Sequence, residues 1–374
     1  MRDIRITNLA KLVVTYSIDV QKGEKVIIHC NQDSKEMATA LVEQIYQAGG
    51  YPFINTVDER IEAALAAGAS REHLALRYAQ DKWKTNDMDA VIYLRSPRNI
   101  YEDRIVSKQK KADIVRWNKE LFAELGIKDR MYEKKPCVMI YPTEFTASVA
   151  KMGYEEYRDF YFDACLANYP SMLKALNVLA ARMGTVDKVR MVGKDTDLRF
   201  SIKGMKTLVS AGDRNIPDGE AYVSPVLDSA EGKISYNIPS PKDGTIFENV
   251  RFEFKNGKII NASSNYPDRL NEILDVDEGA RYIGEFAISV NPSIDRPSGS
   301  ILFDEKMKGS IHFTPGNEIW KCGNGNRSSL HWDLVYSQLP QYGGGEMWFD
   351  DTLVRKDGMF IVDELKCCNP ENLL

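Results

Sequence analysis

The chain has 374 residues, 43% hydrophobic and 28% charged, which is the balance of a soluble globular protein large enough for two domains. A formal net charge of −5 leaves no basic excess to neutralise phosphates and argues against a nucleic-acid partner. No apolar run is long enough to span a bilayer and no secretory leader is visible, so no membrane partner is expected; six cysteines without C-x-x-C spacing fit a reduced, cytoplasmic setting and exclude a zinc ribbon.

In chain order, helical spacing over 8–17 leads through the turn Gln21-Lys22-Gly23-Glu24 into a short apolar strand, KVIIHC (25–30). Asp33 or Ser34 caps a helix with apolar residues Met37, Leu41, Ile45 and Tyr46, which stops at Gly49-Gly50. YPFINTV (51–57), DAVIYL (89–94) and CVMIY (137–141) read as further strands with helices between them. Short apolar strands alternating with amphipathic helices predict a parallel sheet covered on both faces. Such sheets often bind nucleotides, but neither G-x-G-x-x-G nor a P-loop is present, so this half reads as scaffold or substrate wall. A long helical region is predicted over 154–183, its aromatics serving as packing. Beyond it the texture turns to strands and hairpins at 189–202, 245–254, 258–262 and 345–354. The expected fold class is therefore α/β plus α+β: a parallel-sheet α/β domain (1–185) followed by a β-rich domain (186–374).

The chain has four histidines, and two of them, His312 and His331, fall within 311–333, on either side of a run that no regular element would hold, Gly323-Asn324-Gly325-Asn326-Arg327-Ser328-Ser329. In His331-Trp332-Asp333 an extended backbone puts imidazole and carboxylate on one face. That pair suits a metal site or an ordinary structural hydrogen bond. His29, at the end of a buried strand, reads as a packed core residue, and His73 as a surface residue at a helix start. Two acidic residues stand out in the β-rich half. Glu220 is delivered by the turn Ile216-Pro217-Asp218-Gly219. Glu285 lies in Ile-Gly-Glu-Phe-Ala-Ile, apolar enough to be buried, so it needs a cation, either a metal or one of Arg214, Arg281 and Arg327. Together Glu220, Glu285, His312, His331 and Asp333 offer three carboxylates and two imidazoles, a set that suits two divalent ions sharing a carboxylate. Such a pair activates water and polarises a carbonyl together.

The segments IPDGE, DEGARYIGEFAI, ILFDEKMKGSIH and NGNRSSLHWDLV, in that order, resemble the aminopeptidase T, AmpS and PepS family of metallo-aminopeptidases, and LVVTYSIDVQKGEKVIIHC resembles its N-terminal segment. The resemblance implies an N-terminal α/β domain and a metal-bearing C-terminal domain. It implies Glu220 as a metal carboxylate, Glu285 as the bridging and catalytic one, and His312, His331 and Asp333 completing two sites for zinc, cobalt or manganese. It further implies release of N-terminal residues from short peptides by a metal-bound hydroxide, and a homodimer whose active sites open on an enclosed cavity. One departure is visible. The family's tyrosine seven residues after the first histidine is replaced by Ile319, followed by Trp320. Losing an oxyanion donor costs roughly two to three orders of magnitude in rate, so either Tyr222, Tyr342 or a water takes the role, or peptide hydrolysis is slow, or the substrate is not an ordinary peptide. Asp304-Glu305 are placed to orient a ligand histidine. Two alternatives stay open: a mononuclear iron ring-cleaving dioxygenase on His312, His331 and Asp333, like the pyridine-diol dioxygenases that resemble this family, and a metal-binding homologue that has lost turnover.

Overall fold

The computed structural model describes residues 2–99, 101–125, 134–319 and 321–374. Contacts divide the chain into two compact units, one of residues up to 148 with 152–158 and 212–216, the other of 149–151, 159–211 and 217–374.

In the first unit the strands Lys25–Cys30, Tyr51–Thr56, Ala90–Arg95 and Lys135–Ile140 form a parallel sheet. Val26, Ile27, Ile28, Ala90, Ile92, Cys137 and Met139 are buried in it, as unbroken apolar runs require of strands covered on both faces. The helix Lys35–Gln47 crosses between the first two strands and buries Met37, Leu41 and Ile45, spaced four apart. It ends where Gly49 takes a positive φ of 81°. Two features were not foreseen. The helix expected over 8–17 is Ile4–Leu12, continued by a wider π turn over Val13–Ser17. The sheet also gains a fifth parallel strand, Asn215–Ile216, from much later in the chain.

The helical region expected over 154–183 is two helices, Tyr154–Cys165 and Tyr169–Met183. The break is local chemistry: the Asn168 side chain accepts the Ser171 N–H at 3.2 Å, and Pro170 stands in the first turn of the second helix. By contacts, residues 152–158 group with the first unit and 159–211 with the second. The reason for the second grouping is the apolar face of Tyr169–Met183: Met172, Leu176, Leu179 and Met183 are buried, and the helix packs on the strands Leu208–Ser210 and Glu220–Val223.

The second unit is antiparallel. An eight-stranded sheet runs from Lys258–Ser263 at one edge, through Arg251–Lys255, Glu231–Ser235, Thr196–Ser201, Lys188–Gly193, Glu346–Phe349 and Thr352–Lys356, to Met359–Phe360. A five-stranded sheet has the order Val335–Ser337, Ser310–Pro315, Ile283–Ser289, Glu220–Val223, Leu208–Ser210. Aromatic rings join the two: Phe200 lies 4.8 Å from Phe286 and from Phe313 between ring centres, and Phe254 lies 5.7 Å from Phe313. That layer covers one face of the five-stranded sheet. The other face is polar.

Candidate metal centre

Antiparallel register fixes which residues share the polar face. His312 stands opposite Val335 and Ala287, Ala287 opposite Tyr222, Ser289 opposite Glu220, and Glu285 opposite Thr314. Partners directly opposite, and residues two apart on a strand, point the same way. Glu220, Tyr222, Glu285, His312 and Thr314 therefore project from one face, while Phe286, Ile288, Ile311 and Phe313 point into the aromatic layer. The alternation in Ile-Gly-Glu-Phe-Ala-Ile-Ser thus sorts core from chemistry within a single strand.

Glu285 is at the centre. It is 6% exposed, and its two oxygens face different histidines: Oε1 is 3.3 Å from His312 Nε2 and Oε2 is 3.3 Å from His331 Nε2. Each ring is held from behind. His312 Nδ1 donates to the Glu305 carbonyl at 3.2 Å, and His331 Nδ1 donates to the Asn317 carbonyl at 3.1 Å. A backbone acceptor at Nδ1 leaves Nε2 as the ligating nitrogen in the neutral ring. Glu220 Oε2 lies 3.6 Å from His312 Nε2, and Asp333 Oδ1 lies 3.4 Å from His331 Nε2 while accepting the Thr314 hydroxyl at 2.8 Å. Among the described residues, two trios have ligand atoms within 4.8 Å of one another: Glu220, Glu285 and His312, and Glu285, His331 and Asp333. All five residues singled out in the sequence are brought together, and Glu285 belongs to both trios.

The loop carrying His331 is fastened by backbone contact. Asn324 Nδ2 donates to the carbonyls of Pro225 (2.7 Å) and Ile283 (2.8 Å), and Asn326 Nδ2 to those of Gly279 (2.9 Å) and Gly316 (2.6 Å). Asp277 accepts the Ser328 hydroxyl and the Ser329 N–H at 2.7 Å each. The loop passes so close to the strand Ile283–Ser289 that a Cβ on Gly284 would lie 2.0 Å from the Asn317 carbonyl oxygen. The strand register shifts at this glycine, a bulge immediately before Glu285.

The electrostatics are those of crowded acids. Burial raises Glu220 to about 8, against the opposing pull of Lys306 and His312. Burial also disfavours an imidazolium at His312, yet Glu285 and Glu220 lift it to about 9. Asp333, despite burial, is held well below the carboxylate range by His331. Two participants were missed in the sequence. Asp218, fully buried, accepts the Ser210 hydroxyl at 2.6 Å. Lys306, 1% exposed, places its ammonium 2.5 Å from Glu220 Oε1, 2.9 Å from Glu305 Oε1 and 3.7 Å from Asp218 Oδ1. The signal for Lys306 was its apolar frame, Leu302-Phe303 before it and Met307 after it. Asp304 and Glu305 work differently from expectation. It is the main-chain carbonyl of Glu305 that steadies His312, while Asp304 accepts the Ser298 and Gly299 amides. The arginines considered for Glu285 pair elsewhere: Arg281 with Asp275, Arg327 with Glu318 and Arg214 with Asp213. His29 is hydrogen-bonded to Asn55 and stacked on Tyr93 in the other unit, and His73 lies in the first turn of Arg71–Asn86.

A family model described as thermophilic metalloprotease (M29) matches residues 2–359. The chain belongs to the M29 family. AmpS of Bacillus subtilis (strain 168) is 21% identical over 90% of this chain and 89% of its own length. PepS of Streptococcus thermophilus is 23% identical over 87% of this chain and 90% of its own. The structure of wild-type AmpT from Thermus thermophilus superposes with a TM-score of 0.78 at 18% identity, covering 96% of this chain and 99% of that one, so the fold is shared. As an M29 metallo-aminopeptidase the chain is a hydrolase that depends on divalent metal. Among the described residues, no helix is long and apolar enough to cross a membrane.

The five residues fit such a metal. The donors are carboxylate oxygens and imidazole nitrogens, suited to zinc, cobalt or manganese. Glu220 Oε2 is also buried without a hydrogen-bond donor, an arrangement that is costly unless a cation completes it. Of the groups considered for the missing phenol, Tyr222 shares the site face and Tyr342 lies in the turn Pro340–Tyr342; Trp320, which follows Ile319, lies outside the described residues.

Proposed function

We propose that the chain is an aminopeptidase that removes N-terminal residues from short peptides, using two divalent ions held by Glu220, Glu285, His312, His331 and Asp333. The observation that carries this reading is the placement of Glu285, one oxygen toward each histidine at 3.3 Å. Bound ions supply Lewis acidity, making water a nucleophile near neutral pH and polarising the scissile carbonyl. The protein supplies the rest. Glu285 is fixed by its strand and by both imidazoles, where it can take a proton from attacking water and pass it to the leaving amine. Thr314 orients Asp333, and the Glu305 and Asn317 carbonyls fix the two rings.

Three carboxylates, those of Asp218, Glu220 and Glu305, gather at the Lys306 ammonium, while those of Glu285 and Asp333 face the two histidines. A free amine on the substrate could bind one of the ions or an acidic side chain of the site, which an N-blocked peptide could not do. Restriction to short peptides, a homodimeric assembly and a cytoplasmic setting follow from the family likeness and belong to the same proposal. Membership of a peptidase family, with two glutamates in the ligand set, favours hydrolysis over the ring-cleaving alternative. The test is release of the first residue from di- and tripeptides by protein loaded with zinc, cobalt or manganese, with N-acetylated peptides as controls. Release from free-amine peptides alone is expected. A folded, metal-loaded protein that cleaves none of them would refute the assignment.

A further inference from the structure

Lys306 is not an ordinary surface lysine. It follows the short helix Ile301–Asp304, is 1% exposed, and reaches with its ammonium into the carboxylates on one side of the centre only. Its partners are Glu220 at 2.5 Å, Glu305 at 2.9 Å and Asp218 at 3.7 Å. Asp333 and His331 have different partners, Thr314 for the one and the Asn317 carbonyl for the other. An ammonium so enclosed cannot be released to solvent cheaply, because its carboxylates would be left buried and uncompensated. It neutralises Glu220, takes up Oε1, and leaves Oε2 as the only oxygen of that residue without a donor. A divalent ion on Glu220, Glu285 and His312 would then sit beside a fixed positive charge in a site that water screens poorly. The other trio includes half-exposed His331, whose side chain is 39% accessible, and Asp333, which accepts the Thr314 hydroxyl.

We propose that Lys306 is a built-in cation that makes the two metal positions unequal. The position on Glu285, His331 and Asp333 fills first, and the position on Glu220, Glu285 and His312 fills only at much higher metal concentration. This rests on the reading of those five residues as ligands. It adds that the chain as isolated carries one ion, and that its second is a loosely held one set by metal supply.

Metal-stripped full-length chain titrated with zinc or cobalt by calorimetry, with elemental analysis after gel filtration, tests it. One ion per chain should survive gel filtration, and the second should bind about a hundredfold more weakly. The near-isosteric Lys306→Met should bring the two affinities within about tenfold of each other. Should that variant fail to fold, Glu220→Gln decides: the weak event should disappear and the tight one remain. Two equally tight ions in the unaltered chain overturn the proposal, as do affinities still far apart in Lys306→Met or loss of the tight ion in Glu220→Gln. Retention of no ion at all is a separate result, which refutes the ligand assignment itself.

Discussion

Ile319 stands where the family resemblance places a phenol, and its surroundings show why the position matters. Its amide donates to Ser224 Oγ at 3.4 Å, and the Ser224 hydroxyl donates to the Gly284 carbonyl at 2.6 Å, one residue before Glu285. By the family resemblance, a tyrosine at this position steadies the transition state through its hydroxyl. Ile319→Tyr is expected to raise kcat on dipeptides by about tenfold or more with KM little changed, as an oxyanion donor acts on the transition state. An unchanged kcat would show that Tyr222 or solvent already fills the role. The five site residues were legible in the sequence because each stands in a strand or beside one, where alternation shows which way a side chain points. Lys306 was harder to read, since the apolar frame of Leu302-Phe303 and Met307 that marks it is interrupted by the adjoining charges Asp304-Glu305. Only the fold turns it inward, with 1% of its surface left accessible. Likewise, the backbone carbonyls that steady the two histidines have no sequence signature.

The element that positions His331 is a loop without repeating structure, held by side chains that copy backbone hydrogen bonds. Asp277 is its anchor, taking the Ser328 hydroxyl and both the amide and hydroxyl of Ser329. Asp277→Ala should weaken binding of the tight ion by about 10–100-fold, as loss of outer-shell support does, read by metal titration with the fold intact by circular dichroism. Its acidity adds a pH signature. Although burial works to raise it, donors from Ser328 and Ser329 hold Asp277 below its ordinary 3.8, so the folded state binds that proton more weakly than the unfolded chain. Its stabilising contribution is therefore complete above that ordinary value and is lost as pH falls through the lowered one. The difference in stability between the parent chain and Asp277→Ala should shrink on acidification below about pH 4, measured by denaturant titration. At this scale the strands were readable from period-two patterning and the loop from its Gly, Asn and Ser content. The break at Asn168-Tyr169-Pro170 was readable too, since the cap and the proline stand in the sequence, but the continuous aromatic and aliphatic content on either side masked it.

On the scale of the molecule, the parallel and antiparallel regions followed from composition and period, whereas the grouping of the helices did not. The helix Tyr169–Met183 belongs with the strands its apolar face covers, a relation of packing that no local pattern displays. The strand Asn215–Ile216 is too short to announce itself and joins the first unit across a long interval of chain. The second unit gathers mutually repelling carboxylates, so ions that bind only the folded state should hold it together. Binding at about a thousandfold over Kd is worth about 4 kcal/mol. Chelation should accordingly lower Tm by several degrees, and zinc or cobalt should restore it, by differential scanning calorimetry. A transition indifferent to chelator would argue against an interior centre. The strand Ile283–Ser289 ties these behaviours together, with Glu285 on one side and Phe286, its neighbour in the backbone, on the other. The catalyst has no housing apart from the keystone of its own vault. Adaptation to heat or cold cannot retune the aromatic stack without moving the reacting groups, so durability and speed are coupled here, and selection must adjust them from the rim inward.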